Sequence, residues 1–420
     1  MVAAVIWVGA GAWMAVIALV VGRRSSRLGW SSASLTRVRR ITLLAAIGCT
    51  AVVGGSLAAD VVGDDDGAVA ATANWARNNG LGWIVDQLER WRYSEPPSSE
   101  PADELAISPV FTVAPSTTSR PTTASPTTTP PTSSVPTTTE PPFAPSPLAP
   151  PVTPALEGEG VWSPVVGPGE PHMLWVTSMR PLVAARSVTA TYVYIRPDRL
   201  RAAMYAGTEL PGTAELTDGA EWERYARVAE VDRPSLVAAF NGGFRFEHIE
   251  GGYLSEGQKI EPLAAGEAAI AIDRAGRITI GEYGRDLVDD GTWESIRQTK
   301  PLLVDNGVSG TTGTRANAWG VDFGGVIYVF RSALCTLANG DLMYVSAGEV
   351  DAAMLADILI AAGCRMAMQL DINGTWPQFA VYDGFGTADR SGVLVDRRMS
   401  NANRYLSGSK KDFFALFLRT

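Results

Sequence analysis

The sequence predicts an α+β domain, a mixed or antiparallel sheet with packed helices, preceded by a two-helix transmembrane hairpin and a disordered tether. Three observations predict it. Two apolar runs near the start flank an arginine-rich loop. A Pro/Thr/Ser-rich stretch follows them. The remainder, 155–420, carries strand-like runs, several of them joined by tight turns, and one strongly periodic helix.

Residues 2–21 carry no charge, and as a helix they are long enough to cross a hydrocarbon core of about 30 Å. The second run, 41–63, has Asp60 as its only charge. Arg23, Arg24, Arg27, Arg37, Arg39 and Arg40 lie between the runs without an acid among them, and Asp64, Asp65 and Asp66 follow the second. Positive loops stay in the cytoplasm, so 1–63 reads as a transmembrane hairpin with both ends outside. The first run lacks the basic start of a signal peptide. The expected localisation is therefore the cell membrane, with two transmembrane helices, an extracytoplasmic C-terminal domain and the membrane itself as a partner.

Residues 64–95 form an extracytoplasmic juxtamembrane segment. Trp83 and Trp91 lie there with Leu81, Ile84 and Leu88 at helical spacing, suited to the membrane interface or to packing on the domain. Residues 96–154 are Pro, Thr and Ser with few apolar side chains, a composition that cannot bury enough surface to offset ordering entropy. They are expected to be a disordered tether.

A formal net charge of -9 offers no basic stripe for phosphate backbones, so nucleic acid is not an expected partner. With three cysteines and two histidines, a zinc site is not expected, and a histidine-based triad would rest on His172 or His248 alone. No cofactor and no metal are called for. Cys49 falls in the second apolar run. Cys335 and Cys364 lie one helix apart in predicted strands, where they form either a disulfide or two buried thiols.

In 155–420, the stretch "SVTATYVYIRP" alternates as a strand. Pairs of strands flank Ala275-Gly276 and Asn339-Gly340 as hairpins. Residues 350–362 form the best helix: Met354, Leu355, Ile358, Leu359 and Ala362 share a face, and Gly363 follows the end. A strand at 365–370 comes next and runs into Asp371, then Asn373-Gly374-Thr375. The strand 236–240 likewise ends in Asn241-Gly242-Gly243, followed by Phe244 and Arg245. Each is a plain turn or a polar tip presented by a rigid strand to a pocket. Paired glycines allow positive φ or close approach of a ligand. Arg331 interrupts the apolar run "VIYVFRSALC", where it either snorkels or holds an anion in a cleft. His248 reads as an exposed loop histidine.

The order FNGGF, "GEAAIAID", an arginine-bearing "FRSALCTLANGDLMYV", a helix ending in "AAGC", "AMQLDINGT" and a closing "DFFALFLR" resembles the phosphodiester glycosidase domain family over roughly 170–420. Ile372 and Asn373 stand where that family's LDGGGS-like loop has small residues. The resemblance implies a hydrolase that cuts a sugar-1-phosphate diester at the sugar C–O bond, here acting on cell-envelope glycans. Asp371 would be the catalytic carboxylate at an oxocarbenium-like centre. Arg331 and Arg245 would clamp the phosphate, and Asn241, Gly242, Gly243, Asn373 and Gly374 would bind the sugar. Glu256, Asp305 and Glu349 are the choices for a partner carboxylate. An alternative reading makes the domain a catalytically inactive relative that binds envelope glycan.

Overall fold

The computed structural model describes residues 96–111, 143–165, 172–209, 211–212, 224–320, 327–374 and 376–419. The chain divides into Met1–Glu89 and Arg90–Thr420, and every described residue lies in the second unit.

Among the described residues three sheets make the fold, and all pairings between their strands are antiparallel. The largest runs, in spatial order, β1 (Ser163–Pro164), β2 (Leu174–Met179), β3 (Ala190–Ile195), β14 (Leu342–Val350), β13 (Val329–Leu337), β15 (Cys364–Ile372), β11 (Val304–Asp305) and β12 (Val308–Ser309). A five-stranded sheet holds β7 (Gln258–Glu261), β6 (Tyr253–Ser255), β10 (Trp293–Gln298), β8 (Ala268–Asp273) and β9 (Ile278–Glu282). A third sheet runs β17 (Gly392–Leu394), β16 (Phe379–Tyr382), β5 (Leu236–Asn241), β18 (Phe413–Leu418) and β4 (Leu200–Tyr205).

One core joins all three sheets. Val193, Leu334, Met368 and Leu370 of the large sheet meet Phe240, Phe379 and Phe414 of the third and Ile270 and Ile280 of the second. The opposite face of the large sheet is covered by helix α1 (Ala352–Ala361), whose Leu355, Ile358 and Leu359 pack on Ala333, Cys335 and Val345. Asp351 caps the helix by accepting a hydrogen bond from the Met354 N–H (2.8 Å). Gly363, at φ 91, ends it. The hairpin turns expected at Ala275-Gly276 and Asn339-Gly340 join β8 to β9 and β13 to β14.

The fold class departs from the α+β expectation. Among the described residues the architecture is mostly β, with α1 and a four-residue α2 (Arg404–Ser407) as its α-helices. The physical reason lies in the core. Apolar runs such as LVAAFN, AAIAID and FFALFL are buried along their whole length or nearly so, and they satisfy one another sheet against sheet. Among the described residues, helical periodicity of useful length occurs in α1 and is not repeated.

The membrane localisation is also corrected. Among the described residues no helix is long and apolar enough to cross a membrane. The apolar runs at 2–21 and 41–63, and the juxtamembrane segment at 64–95, lie outside the described residues. Of the Pro/Thr/Ser segment, 96–111 and 143–154 are described. Ala106, Phe111 and Val152 are buried there, and Ile107 forms a β-bridge with Asp396.

Two features fix the centre of the large sheet. Cys335 on β13 and Cys364 on β15 form a disulfide with Cα atoms 5.7 Å apart. Arg331, on the same face of β13 as Cys335, is fully buried. Its Nε donates to Val350 O (2.9 Å), Nη1 to Trp319 O (2.9 Å) and Gln369 Oε1 (3.3 Å), and Nη2 to Gly320 O (3.0 Å) and Ile327 O (2.8 Å). These bonds take up a guanidinium's five N–H donors. Arg331 therefore organises the loop around Trp319 and is not free to hold a substrate phosphate, which corrects the clamp expected from sequence.

Replacing both Cys335 and Cys364 by alanine is expected to lower unfolding free energy by about 3.6 kcal/mol, the loop-closure value for a separation of 29 residues, as read by urea denaturation. Arg331→Met strands several main-chain carbonyls in the interior. It should cost more than about 4 kcal/mol in the same assay, whereas a phosphate clamp would raise KM and leave stability nearly unchanged.

Candidate active site

The strand tips converge because of strand direction. β5 and β18 are antiparallel, with Asn241 opposite Phe413, so the end of β5 adjoins the residues that precede β18. The end of β15 is tied to the same point: the Asp371 N–H donates to Gly242 O (3.0 Å). Three segments far apart in sequence thus bring Asn241-Gly242-Gly243, Asp371 and Lys411-Asp412 together.

A bulge aims Asp371. Arg331 pairs with Ile372 and Ala333 with Gln369, so β15 carries one residue more than β13 across that interval. Gln369 faces Arg331, while Asp371, two positions on, turns its carboxylate to Lys411 of the neighbouring sheet. Strict alternation would have put both on one face.

The Asp371 carboxylate is buried. Its Oδ2 accepts a hydrogen bond from Lys411 Nζ in an ion pair, and Oδ1 accepts from the Ile372 N–H (2.9 Å). Burial pushes the Asp371 carboxyl above the usual carboxylate range, outweighing the pull of Lys411. Burial pushes the Lys411 ammonium below the usual lysine range; Asp371 opposes that shift, and the charge of Arg245 adds to it. The two groups are drawn toward each other in proton affinity. Lys411 Nζ also lies 4.1 Å from the centre of the Trp376 ring, with Arg404 at 5.6 Å from the same ring.

Beneath the pair is a polar scaffold. Asn241 donates from Nδ2 to Ser332 Oγ (3.0 Å) and Gly242 O (3.0 Å), and its Oδ1 accepts from Tyr344 Oη (2.9 Å) and the Gln378 N–H (2.9 Å). Ser332 Oγ in turn donates to Asp371 O (3.0 Å). Asn241 is therefore a strut for Asp371, its amide taken up inside the protein. The glycines after it permit close approach. A Cβ on Gly242 would lie 2.2 Å from Asp412 Oδ2, and one on Gly243 would lie 2.3 Å from Thr299 Cγ2. Asp412 Oδ2 accepts from Arg297 Nε (2.8 Å) and the Gly243 N–H (3.3 Å) in a buried ion pair, while its Oδ1 is buried without a hydrogen-bond partner among the described residues.

The other expected residues fall as follows. Arg245 is partly exposed, in an ion pair with Glu247 (3.3 Å). His248 is exposed beside Glu247. Asn373 holds a left-handed backbone (φ 84), a conformation that glycine takes freely and asparagine tolerates. Gly374 faces open space. Of the three choices for a second carboxylate, Glu256 (φ 51) sits in the β6–β7 turn, Asp305 pairs with Arg285 (2.7 Å), and Glu349 ends β14. Among the described residues no group of three or more His, Cys, Asp or Glu side chains is placed to hold a metal ion.

Lys411, Asp412, Arg297, Ser332 and Trp376 were not singled out from sequence. The signal for two of them was available. "KKDFFALF" is a charged tip on an apolar strand, like the other two but in reverse order. In an antiparallel sheet a strand's beginning is as good a place for such a tip as its neighbour's end.

Residues 234–371 match the model of the Phosphodiester glycosidase family. No functionally curated protein matches the chain. Among solved structures, a hypothetical protein from Synechocystis is 14% identical with a TM-score of 0.39, over 59% of this chain and 62% of that one. The zebrafish N-acetylglucosamine-1-phosphodiester alpha-N-acetylglucosaminidase catalytic domain, auto-inhibited by its pro-peptide, is 15% identical with a TM-score of 0.38, over 59% and 82%. An exported protein of Burkholderia pseudomallei K96243 is 12% identical with a TM-score of 0.30, over 55% and 74%. The chain thus spans less than two thirds of the Synechocystis protein. The NGG turn and Asp371 both lie inside the matched stretch, which spans about a third of the chain.

Proposed function

We propose that this domain hydrolyses a sugar-1-phosphate diester at the sugar C–O bond, with the sugar phosphates of cell-envelope glycans as the substrate class. Water adds to the anomeric carbon, the C–O bond breaks, and the products are a free sugar and a phosphomonoester. The observation that carries this reading is the buried Asp371–Lys411 pair at the meeting of three strand ends.

In this reading the Asp371 carboxylate stabilises the oxocarbenium-like centre, as nucleophile or as base toward water. The leaving group is a phosphomonoester with a second pKa of about 6, so charge neutralisation serves it as well as full protonation. Lys411 supplies that charge from beside the carboxylate, and Arg245 supplies a second positive charge from the loop after the glycines. Asn241 and Ser332 fix Asp371 from behind. Gly242 and Gly243 keep that loop against Asp412 and Thr299, where a side chain would force it away from the pair.

Asp371→Asn is expected to reduce release of free sugar from an N-acetylglucosamine-1-phosphodiester by about 10³-fold, a loss typical of removing an acid–base or nucleophilic group. Equal turnover by this variant and the native protein would falsify the assignment. The pH profile of kcat/KM gives an independent check. Activity needs Asp371 ionised and Lys411 charged. The acid limb should therefore lie above the ordinary aspartate value of 3.8, because burial raises that group, and the alkaline limb below the ordinary lysine value of 10.5, because burial lowers that one. Lys411→Met removes the attraction that holds the Asp371 carboxyl down. Its acid limb should move to higher pH, with a loss of about 10²-fold at the optimum.

A further inference from the structure

Asparagine followed by glycine is a chemically labile pair, because glycine has no side chain to keep its amide nitrogen away from the asparagine Cγ. Four such pairs fall among the described residues, beginning at Asn241, Asn306, Asn339 and Asn373. The dipeptide is the same in each. Any difference in their chemistry therefore comes from the fold.

Attack requires an unengaged glycine nitrogen and an asparagine amide able to swing onto it. Three pairs meet neither condition. The Gly242 N–H donates to Asp412 O (2.9 Å), and the Asn241 amide is taken up by Ser332, Tyr344 and Gln378. The Gly307 N–H donates to Arg365 O (2.8 Å), while Asn306 Nδ2 donates to Asp305 Oδ1 (2.9 Å). The Gly340 N–H donates to Leu337 O (3.0 Å). Asn339 is held on both sides of its amide: Nδ2 donates to Tyr194 Oη (2.9 Å) and Asp341 Oδ2 (2.8 Å), and Oδ1 accepts from the Asp341 N–H (3.0 Å).

Asn373 differs on every count. Its Oδ1 is buried with no hydrogen-bond partner among the described residues, a costly state that nothing anchors. The Gly374 N–H makes no hydrogen bond among the described residues. Gly374 is exposed, with no atom within 4 Å of where its Cβ would be. The main chain is tied on either side, by the Asn373 N–H to Phe330 O (2.9 Å) and the Trp376 N–H to Asn373 O (3.2 Å), so the pair is presented at a fixed place.

We propose that Asn373-Gly374 is a self-modification site, at which the asparagine amide is lost as ammonia and a second carboxylate is placed beside Asp371. The Gly374 nitrogen attacks Asn373 Cγ, the Cγ–Nδ2 bond breaks, and ammonia leaves with the proton from the glycine amide. A five-membered imide remains. Water opens it at either carbonyl, giving aspartate, or isoaspartate with the main chain rerouted through Cβ. One water is consumed for each ammonia released, and nothing is oxidised or reduced. Asn373 is two residues from Asp371, so their Cα atoms are at most about 7 Å apart. That is inside the roughly 8 Å over which physiological salt screens a charge. The new carboxylate opposes ionisation of Asp371 and repels a phosphodiester anion, so substrate binding weakens as the protein ages. This effect on substrate rests on the reading of Asp371 given above; the modification does not.

The test incubates the full chain in warm, mildly alkaline buffer and follows tryptic peptide 366–390, in which Asn373 is the only asparagine. Conversion is read by mass spectrometry and by isoaspartyl methyltransferase labelling. Asn373 should convert at least tenfold faster than Asn306 and Asn339 in the folded protein, and all four pairs should converge in urea. A folded-state rate for Asn373 no greater than theirs overturns the proposal. Aspartate formed without isoaspartate would also overturn it, since direct hydrolysis needs no glycine. Gly374→Ala places its Cβ in open space and should slow conversion at least tenfold; an unchanged rate removes the glycine nitrogen as the attacking group. A kinetic arm follows KM for an N-acetylglucosamine-1-phosphodiester, each protein being compared with its own fresh sample. KM should rise severalfold as native Asn373 converts and hold steady in aged Gly374→Ala. Conversion with KM unmoved overturns the effect on substrate. Conversion as expected in a protein that shows no turnover when fresh would leave the modification standing and remove the glycosidase.

Discussion

The buried ion pair of Asp371 and Lys411 is the constraint to which the rest of the site answers. Taking a carboxylate and an ammonium out of water costs several kcal/mol each, and their attraction offsets this only when further hydrogen bonds satisfy what remains. The surrounding structure provides those bonds. The Ile372 N–H takes the second carboxylate oxygen, the Trp376 ring lies against the ammonium, and Ser332 holds the Asp371 carbonyl. A charge pair this well enclosed is a poor choice for stability alone, because apolar side chains of the same volume would serve the core as well. Its retention makes chemical sense where a carboxylate must be kept close to a cation at a fixed separation.

A second buried pair, Arg297 with Asp412, supports the first from one residue away. Arg297 also donates to Gln298 O (2.7 Å) and Phe244 O, which locks the chain just after the NGG turn to β10. The second sheet therefore takes part in the site without lending a residue to the Asp371–Lys411 pair. Arg331 does comparable work on the far face of the large sheet, where it gathers the carbonyls of the loop around Trp319. Of these three cations, Lys411 pairs with the carboxylate at the end of β15, Arg297 with Asp412, and Arg331 with main-chain carbonyls and the Gln369 amide oxygen.

Much of the sheet structure was legible in the sequence, because hairpin turns at Ala275-Gly276 and Asn339-Gly340 and a capped helix ending at Gly363 are local signals. The polar tips at Asn241 and Asp371 were legible for a related reason: an apolar strand that stops at a small polar loop reads the same in isolation as in the fold. What sequence could not supply was which face a side chain takes after a bulge, or which partner a buried arginine finds. Arg331 reads identically as clamp and as scaffold until its neighbours are known. Lys411 was hidden by direction, since its strand presents charge at the start. Asn241 was read as a sugar ligand because nothing local shows that Tyr344, 103 positions away, saturates it. The balance of sheet to helix was misjudged because fully buried strands lack alternation, and periodicity cannot separate them from short helices.

The hydrogen bond from the Gly243 N–H to Asp412 spans 169 positions of chain. A ribosome building this polypeptide lays down the carboxylate of Asp371 forty positions before its counter-ion. Until β18 is made and seated beside β5, the acid has neither its ammonium nor its packing. Completion of β18 is thus the moment at which the buried charge pair can form, and a shorter nascent chain holds Asp371 without its counter-ion.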